Sequence, residues 1–150
     1  MKRLKIALLF VSFVLYIFPV FVKAQYAGTA CSRSIDPGSV LVNSSTSINL
    51  SVSNLGENTI RWIKVTHGAD SSVLIFTGGS ASGWSATTDS SSQVRFTGGS
   101  MSPSGSGTLT VNITTGSEGG SLISVSASSN QDGSSQVDCF NDTTLNIYSD

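Results

Sequence analysis

The fold class is decided by the stretch Thr108-Leu109-Thr110-Val111-Asn112-Ile113. Polar and apolar residues alternate along it with a period of two, which indicates a β-strand with one solvated face and one buried face. The same alternation recurs at residues 48–52, 123–127 and 145–147. No segment shows the apolar period of a helix, so we predict an all-β protein.

Further strands are predicted from shorter segments, which Gly, Ser, Asn or Asp clusters separate from one another. These segments are residues 40–42, 59–66, 72–77, 84–88, 93–97 and 136–140. About 7–10 short strands in a chain of this size form either a sandwich or a barrel. The turns vary in length, which suits crossings between sheets better than an up-and-down meander. We therefore expect an immunoglobulin-like antiparallel β-sandwich of the Greek-key type.

The N-terminus has the order of segments typical of a secretory signal. Basic residues at 2, 3 and 5 precede an apolar run from Ile6 to Val22, and the small residue Ala24 follows. The alternative is an uncleaved membrane anchor. The run is shorter than the ~20 residues of a spanning helix, and Pro19 lies near its end, so we favour cleavage after Ala24. Residues 1–24 are thus predicted as signal peptide and 25–150 as a single secreted domain.

Removing the signal changes the charge balance of the protein. Four basic and nine acidic side chains then remain, which gives a net charge of −5. The remaining cations are Arg33, Arg61, Lys64 and Arg95. They form no cluster in the sequence, so we expect neither nucleic-acid binding nor attachment to an anionic membrane surface.

The two cysteines, Cys31 and Cys139, lie near opposite ends of the mature chain. An even number of cysteines in an exported protein is usually paired, so we predict a Cys31–Cys139 disulfide. A zinc pair is the alternative, but His67 is the sole histidine and too few soft ligands remain. We predict no metal and no cofactor.

A short repeat occurs in the middle of the chain, where Phe76-Thr77-Gly78-Gly79-Ser80 recurs as residues 96–100. Paired glycines readily adopt the positive φ angles of a tight reversal. Neither copy has the Gly-Lys-Ser/Thr ending of a phosphate loop or a following helix. We interpret both copies as turns that end a strand.

Two longer stretches resemble a known group of proteins. Residues 51–65, SVSNLGENTIRWIKV, and residues 80–84 with 102–111, SASGW and SPSGSGTLTV, are similar to motifs of bacterial immunoglobulin-like surface repeat domains. These are the domains named for cell adhesion and their relatives appended to exported glycosidases. The resemblance covers residues 40 to about 127. It implies an extracellular spacer, adhesin part or accessory module, and it transfers no catalytic residue.

Residues that could support catalysis lie in predicted turns. His67 and Asp70 follow a strand and lack a nucleophile elbow, and Glu57 and Glu118 lie among glycines. Flexible turns hold proton donors poorly, so we predict that the protein is not an enzyme.

Two tryptophans are the candidates for ligand-facing aromatic residues, since rings on secreted sandwiches can stack against sugars. Trp62 is exposed if Ile63 and Val65 point inward, and buried if the register is shifted by a bulge. Trp84 follows Gly83 at a strand start and is interpreted as a plug at one end of the sandwich.

The surface composition favours a function at the cell exterior. It is rich in Ser, Thr, Gly and Asn, and few lysines protect the strand edges from pairing. Our first hypothesis is a secreted, non-catalytic structural or adhesive module, either released or held at the cell surface, which acts through a protein partner or self-association. The alternative is a small carbohydrate-binding module that uses exposed aromatic side chains.

Overall fold

A computed structural model describes residues 26–150, which form eleven strands and no helix within that range. The strands are β1 Cys31–Asp36, β2 Ser39–Leu41, β3 Ser45–Asn54, β4 Trp62–His67, β5 Leu74–Ser80, β6 Ser85–Ser90, β7 Gln93–Thr97, β8 Ser106–Thr115, β9 Gly119–Ser128, β10 Val137–Asp138 and β11 Thr143–Tyr148. No helix in the described part of the chain could span a membrane. The predicted signal peptide, residues 1–24, lies outside the described residues.

The strands form two sheets, which confirms the predicted sandwich. The smaller sheet has the order β1-β3-β8-β5, and the larger has the order β2-β11-β9-β4-β7-β6, with β10 also paired to β9. Neighbours distant in sequence, such as β3 with β8 and β4 with β9, show that the chain crosses repeatedly between the layers.

One pair of strands differs from the expected antiparallel arrangement. Strand β2 pairs with β11 in parallel. Only two residues separate β1 from β2, so the chain keeps nearly the same direction while it passes from the edge of the smaller sheet to the edge of the larger one.

The core lies between the sheets and is built from the inward residues of the alternating strands. Leu109, Val111 and Ile113 of β8 are at most 1 % exposed, as the sequence pattern predicts. The same holds for Ile48, Leu50 and Val52 of β3, Ile63 and Val65 of β4, and Ile123 and Val125 of β9. Burying each such side chain contributes on the order of 1.5–3 kcal/mol.

Strand β1 was not predicted because a charged residue occupies one of its inward positions. Arg33 is 3 % exposed, between Cys31 and Ile35 on the inward side of the strand. Its Nη1 donates a hydrogen bond to the carbonyl oxygen of Cys139 at 2.7 Å, and its Nη2 forms an ion pair with Asp142. These contacts compensate the charge, as the burial of a guanidinium requires.

The first Phe-Thr-Gly-Gly-Ser copy does not end its strand, so the turn prediction is wrong there. Strand β5 continues to Ser80, with an irregularity in register between Phe76 and Gly78. A Cβ on Gly79 would lie 3.0 Å from the ring of Phe96, so glycine permits this close approach. In the second copy, Gly98 has a φ of +75° directly after β7, as a turn there requires.

The predicted disulfide is present and joins the two layers at one edge. Cys31 in β1 is bonded to Cys139, which follows β10, at a sequence separation of 108 residues. The backbone amide of Phe140 also donates to the carbonyl oxygen of Cys31 at 2.8 Å. The smaller sheet is thereby held to the C-terminal part of the larger one.

Replacing both cysteines, Cys31→Ala with Cys139→Ala, should lower the free energy of unfolding by about 2–5 kcal/mol, because closing so long a loop restricts the unfolded chain. Urea unfolding followed by tryptophan fluorescence measures the loss. The wild-type protein in reducing buffer serves as control and should lose a similar amount. A double variant as stable as the oxidised protein would contradict this account.

Candidate binding surfaces

Trp62 lies on the outer face of the larger sheet but is covered by a loop. Ile63 and Val65 point inward, yet Trp62 is only 6 % exposed, which differs from the expectation that this register exposes it. A Cβ on Gly133 would lie 2.4 Å from the indole ring, so the β9–β10 loop packs on that ring. Lys64 Nζ lies 5.6 Å from the ring centroid, within the range of a cation–π contact.

Trp84 is half-buried at the end of the connection that leads from β5 in the smaller sheet to β6 in the larger one. Its amide donates to the carbonyl oxygen of Ala81 at 3.2 Å and closes the turn. The indole packs partly against the core, as the predicted plug does. A Cβ on Gly99 would lie 2.3 to 2.6 Å from ring atoms Cδ2, Cε2 and Cγ, so one face of the ring rests on the backbone of Gly99.

Two hollows flank the exposed part of Trp84, and both include Ser82 and Ser100 in their walls. The first, of about 450 Å³, is otherwise lined by Arg61, Gly83, Gly98, Gly99 and Gln131. The second, of about 330 Å³, has apolar contributions from Met101 and Leu109, and hydroxyl groups from Ser102, Ser106 and Thr108. We call these two spaces the Trp84 hollows.

Arg61 is the charged residue of the first hollow, and its guanidinium is unpaired within residues 26–150. Arg33 and Arg95 form ion pairs with Asp142 and Asp89, whereas no acidic side chain of the described chain pairs with Arg61. Sequence reasoning noted Arg61 as an isolated cation. Its position beside Trp84 depends on the β7–β8 connection, which no local pattern indicates.

On three strands of the smaller sheet the outer face is made of short polar side chains, whereas the fourth strand, β5, places Ile75 on that face. Across β1, β3 and β8 these are Ser32, Ser34 and Asp36; Ser45, Ser47, Asn49, Ser51 and Ser53; and Ser106, Thr108, Thr110, Asn112 and Thr114. Several are bonded to one another, as in the 2.9 Å hydrogen bond from Ser47 Oγ to Asn112 Oδ1. We call this surface the polar face.

The outer face of the larger sheet exposes three apolar side chains on β2, β11 and β9. Leu41 of β2 lies opposite Tyr148 of β11, and Leu122 of β9 lies opposite Thr144, four residues from Tyr148 along β11. These side chains are 39 %, 46 % and 45 % exposed. Gly120 of β9 leaves an opening between them, opposite Asn146. We call Leu41, Leu122 and Tyr148 the apolar patch.

The patch was missed by sequence reasoning, although one signal was present. Leu122 interrupts the alternation of β9, since it is apolar on the outward side next to inward Ile123.

Two further aromatic side chains, Tyr26 and Phe140, are exposed near the disulfide. Their ring centroids are 5.4 Å apart.

The residues considered for catalysis are not brought together. His67 is buried, with Nε2 3.0 Å from the carbonyl oxygen of Ser91 and its ring edge-on to Phe76. No acidic side chain in the described range is hydrogen-bonded to it. No group of three or more His, Cys, Asp or Glu residues within 26–150 could hold a metal ion.

Glu118 fastens the end of β11 beside the apolar patch. Its carboxylate accepts hydrogen bonds from the hydroxyl and from the backbone amide of Ser149, the latter at 3.1 Å. These donors favour the ionised form and lower the pKa of Glu118, the hydroxyl bond having the larger effect.

Gly99→Ala should destabilise the protein by about 1–3 kcal/mol, the usual cost of overpacking, because the new methyl group overlaps the Trp84 ring. Gly68→Ala is the matched control, since nothing lies within 4 Å of its Cβ position. Thermal unfolding of both variants gives the comparison. Equal stability of the two variants would mean that Trp84 does not rest on Gly99.

The lowered pKa of Glu118 makes its contribution to stability dependent on pH. The contribution should be fully present above the ordinary pKa of glutamate and be lost as the pH falls through the lowered, folded-state pKa. An NMR titration of the Glu118 carboxyl carbon measures that pKa. Ser149→Ala should raise it and Ser135→Ala should not; an equal pKa in both variants would contradict the assignment.

Comparisons with known proteins identify the fold and no family. No family model and no curated protein matches the sequence. The assignment to cell-adhesion-related repeat domains therefore stays a prediction.

Several solved structures are similar to the chain, and cohesins are among them. The seventh ScaB type I cohesin of Pseudobacteroides cellulosolvens is 9 % identical, with a TM-score of 0.52 over 81 % of this chain and 94 % of that one. The sixth cohesin of Acetivibrio cellulolyticus scaffoldin B, solved with a Cel5 dockerin variant, is 17 % identical, with a TM-score of 0.52 over 80 % and 100 %. The third ScaC cohesin of Acetivibrio cellulolyticus, solved with the ScaB dockerin, is 9 % identical, with a TM-score of 0.51 over 79 % and 99 %. At these identities the similarity establishes a cohesin-like β-sandwich fold.

Proposed function

We propose that residues 25–150 form a single extracellular, non-catalytic module that acts through protein contacts made by the apolar patch. The observation that carries this proposal is the contrast between the outer faces of the two sheets. The strands β1, β3 and β8 expose only small polar side chains and Asp36, whereas β2, β11 and β9 expose Leu41, Leu122 and Tyr148.

Side chains of this kind are typical of protein interfaces. Exposing Leu and Tyr side chains together on one surface is costly in water unless a partner covers them, and tyrosine is enriched among the residues that dominate binding energy. Thr144, opposite Leu122, and Asn146, between Thr144 and Tyr148 on β11, lie on the same outer face and can hydrogen-bond to a partner. The patch therefore has hydrogen-bonding groups between its apolar side chains.

The location of the module is supported by two features. The basic and apolar N-terminal segment is typical of an exported chain, and the Cys31–Cys139 disulfide suits an oxidising compartment. Two of the similar cohesins were solved in complex with dockerins, so a sandwich of this architecture can serve as a protein-binding scaffold.

The available edge of the larger sheet makes a second copy of the chain the first partner to test. Strand β2 pairs with β11 and is the last strand of the sheet on that side. Leu41 of β2 belongs to the patch, so contact between two such edges would bring two patches together. A different extracellular protein would use the same side chains.

The proposal predicts that association depends on the apolar patch and not on the polar face. Light scattering of the oxidised protein from Gln25 onward, over a wide concentration range, should show association. Leu122→Ser with Tyr148→Ser should weaken it at least tenfold, since each truncated interface anchor typically costs more than 1 kcal/mol. Ser47→Ala with Asn112→Ala, on the polar face, is the matched control and should leave it unchanged.

A heterologous partner is tested by placing a photo-crosslinking amino acid at position 122 or, as control, at position 112 on the polar face. In the extracellular fraction of the source organism, a discrete adduct should form from position 122 alone. A strictly monomeric protein that gives no adduct specific to position 122 would overturn the proposal.

A further inference from the structure

We infer that the Trp84 hollows bind an acidic glycan, namely an oligosaccharide that carries uronic acid units. This goes beyond the proposed protein contacts and involves other residues. The site lies at the connection between β5 and β6, whereas the apolar patch lies on β2, β11 and β9.

Trp84 supplies the stacking surface. Its indole is partly exposed and is held in place, because one face rests on Gly99 and part of the ring packs against the core. The face of an aromatic ring is electron-rich and attracts the weakly positive C–H groups on one side of a pyranose. A ring that is already fixed loses little conformational entropy when a sugar stacks on it.

The remaining walls supply groups that suit sugar hydroxyls. Ser82, Ser100 and the Gln131 amide surround the first hollow, and Ser102, Ser106 and Thr108 surround the second. These groups both donate and accept hydrogen bonds, which matches neutral hydroxyl groups. An apolar ligand would leave them without partners.

Arg61 selects for an acid. The guanidinium presents parallel N–H donors that match the two oxygens of a carboxylate, and Arg61 has no acidic partner in the described chain. The domain from residue 25 onward carries a net charge of −5, which disfavours non-specific binding of anions. Arg61 is exposed at the mouth of this hollow, so its guanidinium is free to pair with a carboxylate that arrives with a ligand.

The arrangement indicates a ligand of more than one sugar unit. The two hollows, of about 450 and 330 Å³, are adjacent, since both are lined by Trp84, Ser82 and Ser100. Spaces of a few hundred Å³ are usual for small-ligand sites. A chain with one unit beside Arg61 and the next across Trp84 would occupy both.

Binding is tested by titrating the oxidised protein with trigalacturonate, with its fully methyl-esterified form and with neutral cellotriose. Trigalacturonate should shift the indole N–H resonance of Trp84 and bind at least tenfold more tightly than the ester in isothermal titration calorimetry. Arg61→Gln should remove that difference. Arg95→Gln, which removes a cation already paired with Asp89, is the matched control and should keep it.

Trp84→Phe should weaken the binding of trigalacturonate and of its ester alike, because stacking serves both. This substitution keeps an aromatic ring over Gly99, and thermal unfolding verifies that the variant is folded. Leu122→Ser with Tyr148→Ser should leave the titration unchanged, so the glycan site and the protein contact surface can fail independently.

Three outcomes would overturn the inference. They are the absence of any shift at Trp84 with millimolar trigalacturonate, equal affinity for the acid and its ester, and an unchanged preference in Arg61→Gln. Equal affinity would indicate a site for neutral glycans.

Discussion

The structure depends on the long antiparallel pairing of β3 with β8 at the centre of the smaller sheet. The pairing runs without interruption from Ser45 opposite Thr114 to Ser53 opposite Ser106. Because successive side chains of a strand point to opposite faces, this register places every second residue of both strands in the core. A shift by one residue would bury serine, threonine and asparagine and expose Leu50, Val111 and their neighbours. Burying those polar side chains and exposing those apolar ones would cost free energy, so this register is favoured over the shifted ones.

The same constraint creates the polar face. Once the apolar residues of β3 and β8 are inward, their Ser, Thr and Asn residues must share the outer surface, where neighbouring side chains bond to one another. In the larger sheet the outward positions are less uniformly polar, since Leu41, Leu122 and Tyr148 point outward. The chemical difference between the faces thus arises where the alternation is broken, and those positions carry the proposed protein contacts.

Both tryptophans owe their environment to glycines that are distant in sequence. Gly133 packs on Trp62 and Gly99 packs on Trp84, with no room for a side chain in either case. At Trp62 the loop carrying Gly133 closes over the ring, which leaves it 6 % exposed. At Trp84 the glycine supports one side of a ring that remains half-exposed between two hollows. Similar contacts therefore produce a covered ring at one position and an available ring at the other.

The sequence by itself determined the β class, the inward residues of the alternating strands and the cysteine pairing, because period-two patterning and an even cysteine count are legible without knowledge of neighbours. It did not indicate that Arg33 is buried, because an inward arginine is tolerated only where Cys139 and Asp142 supply partners. It also left open whether Trp62 is covered, and it did not bring Arg61 next to Trp84. Those features were decided by the tertiary structure alone, because they depend on which strands become neighbours and which loops fold over them. A local pattern contains no information about contacts between residues far apart in the chain.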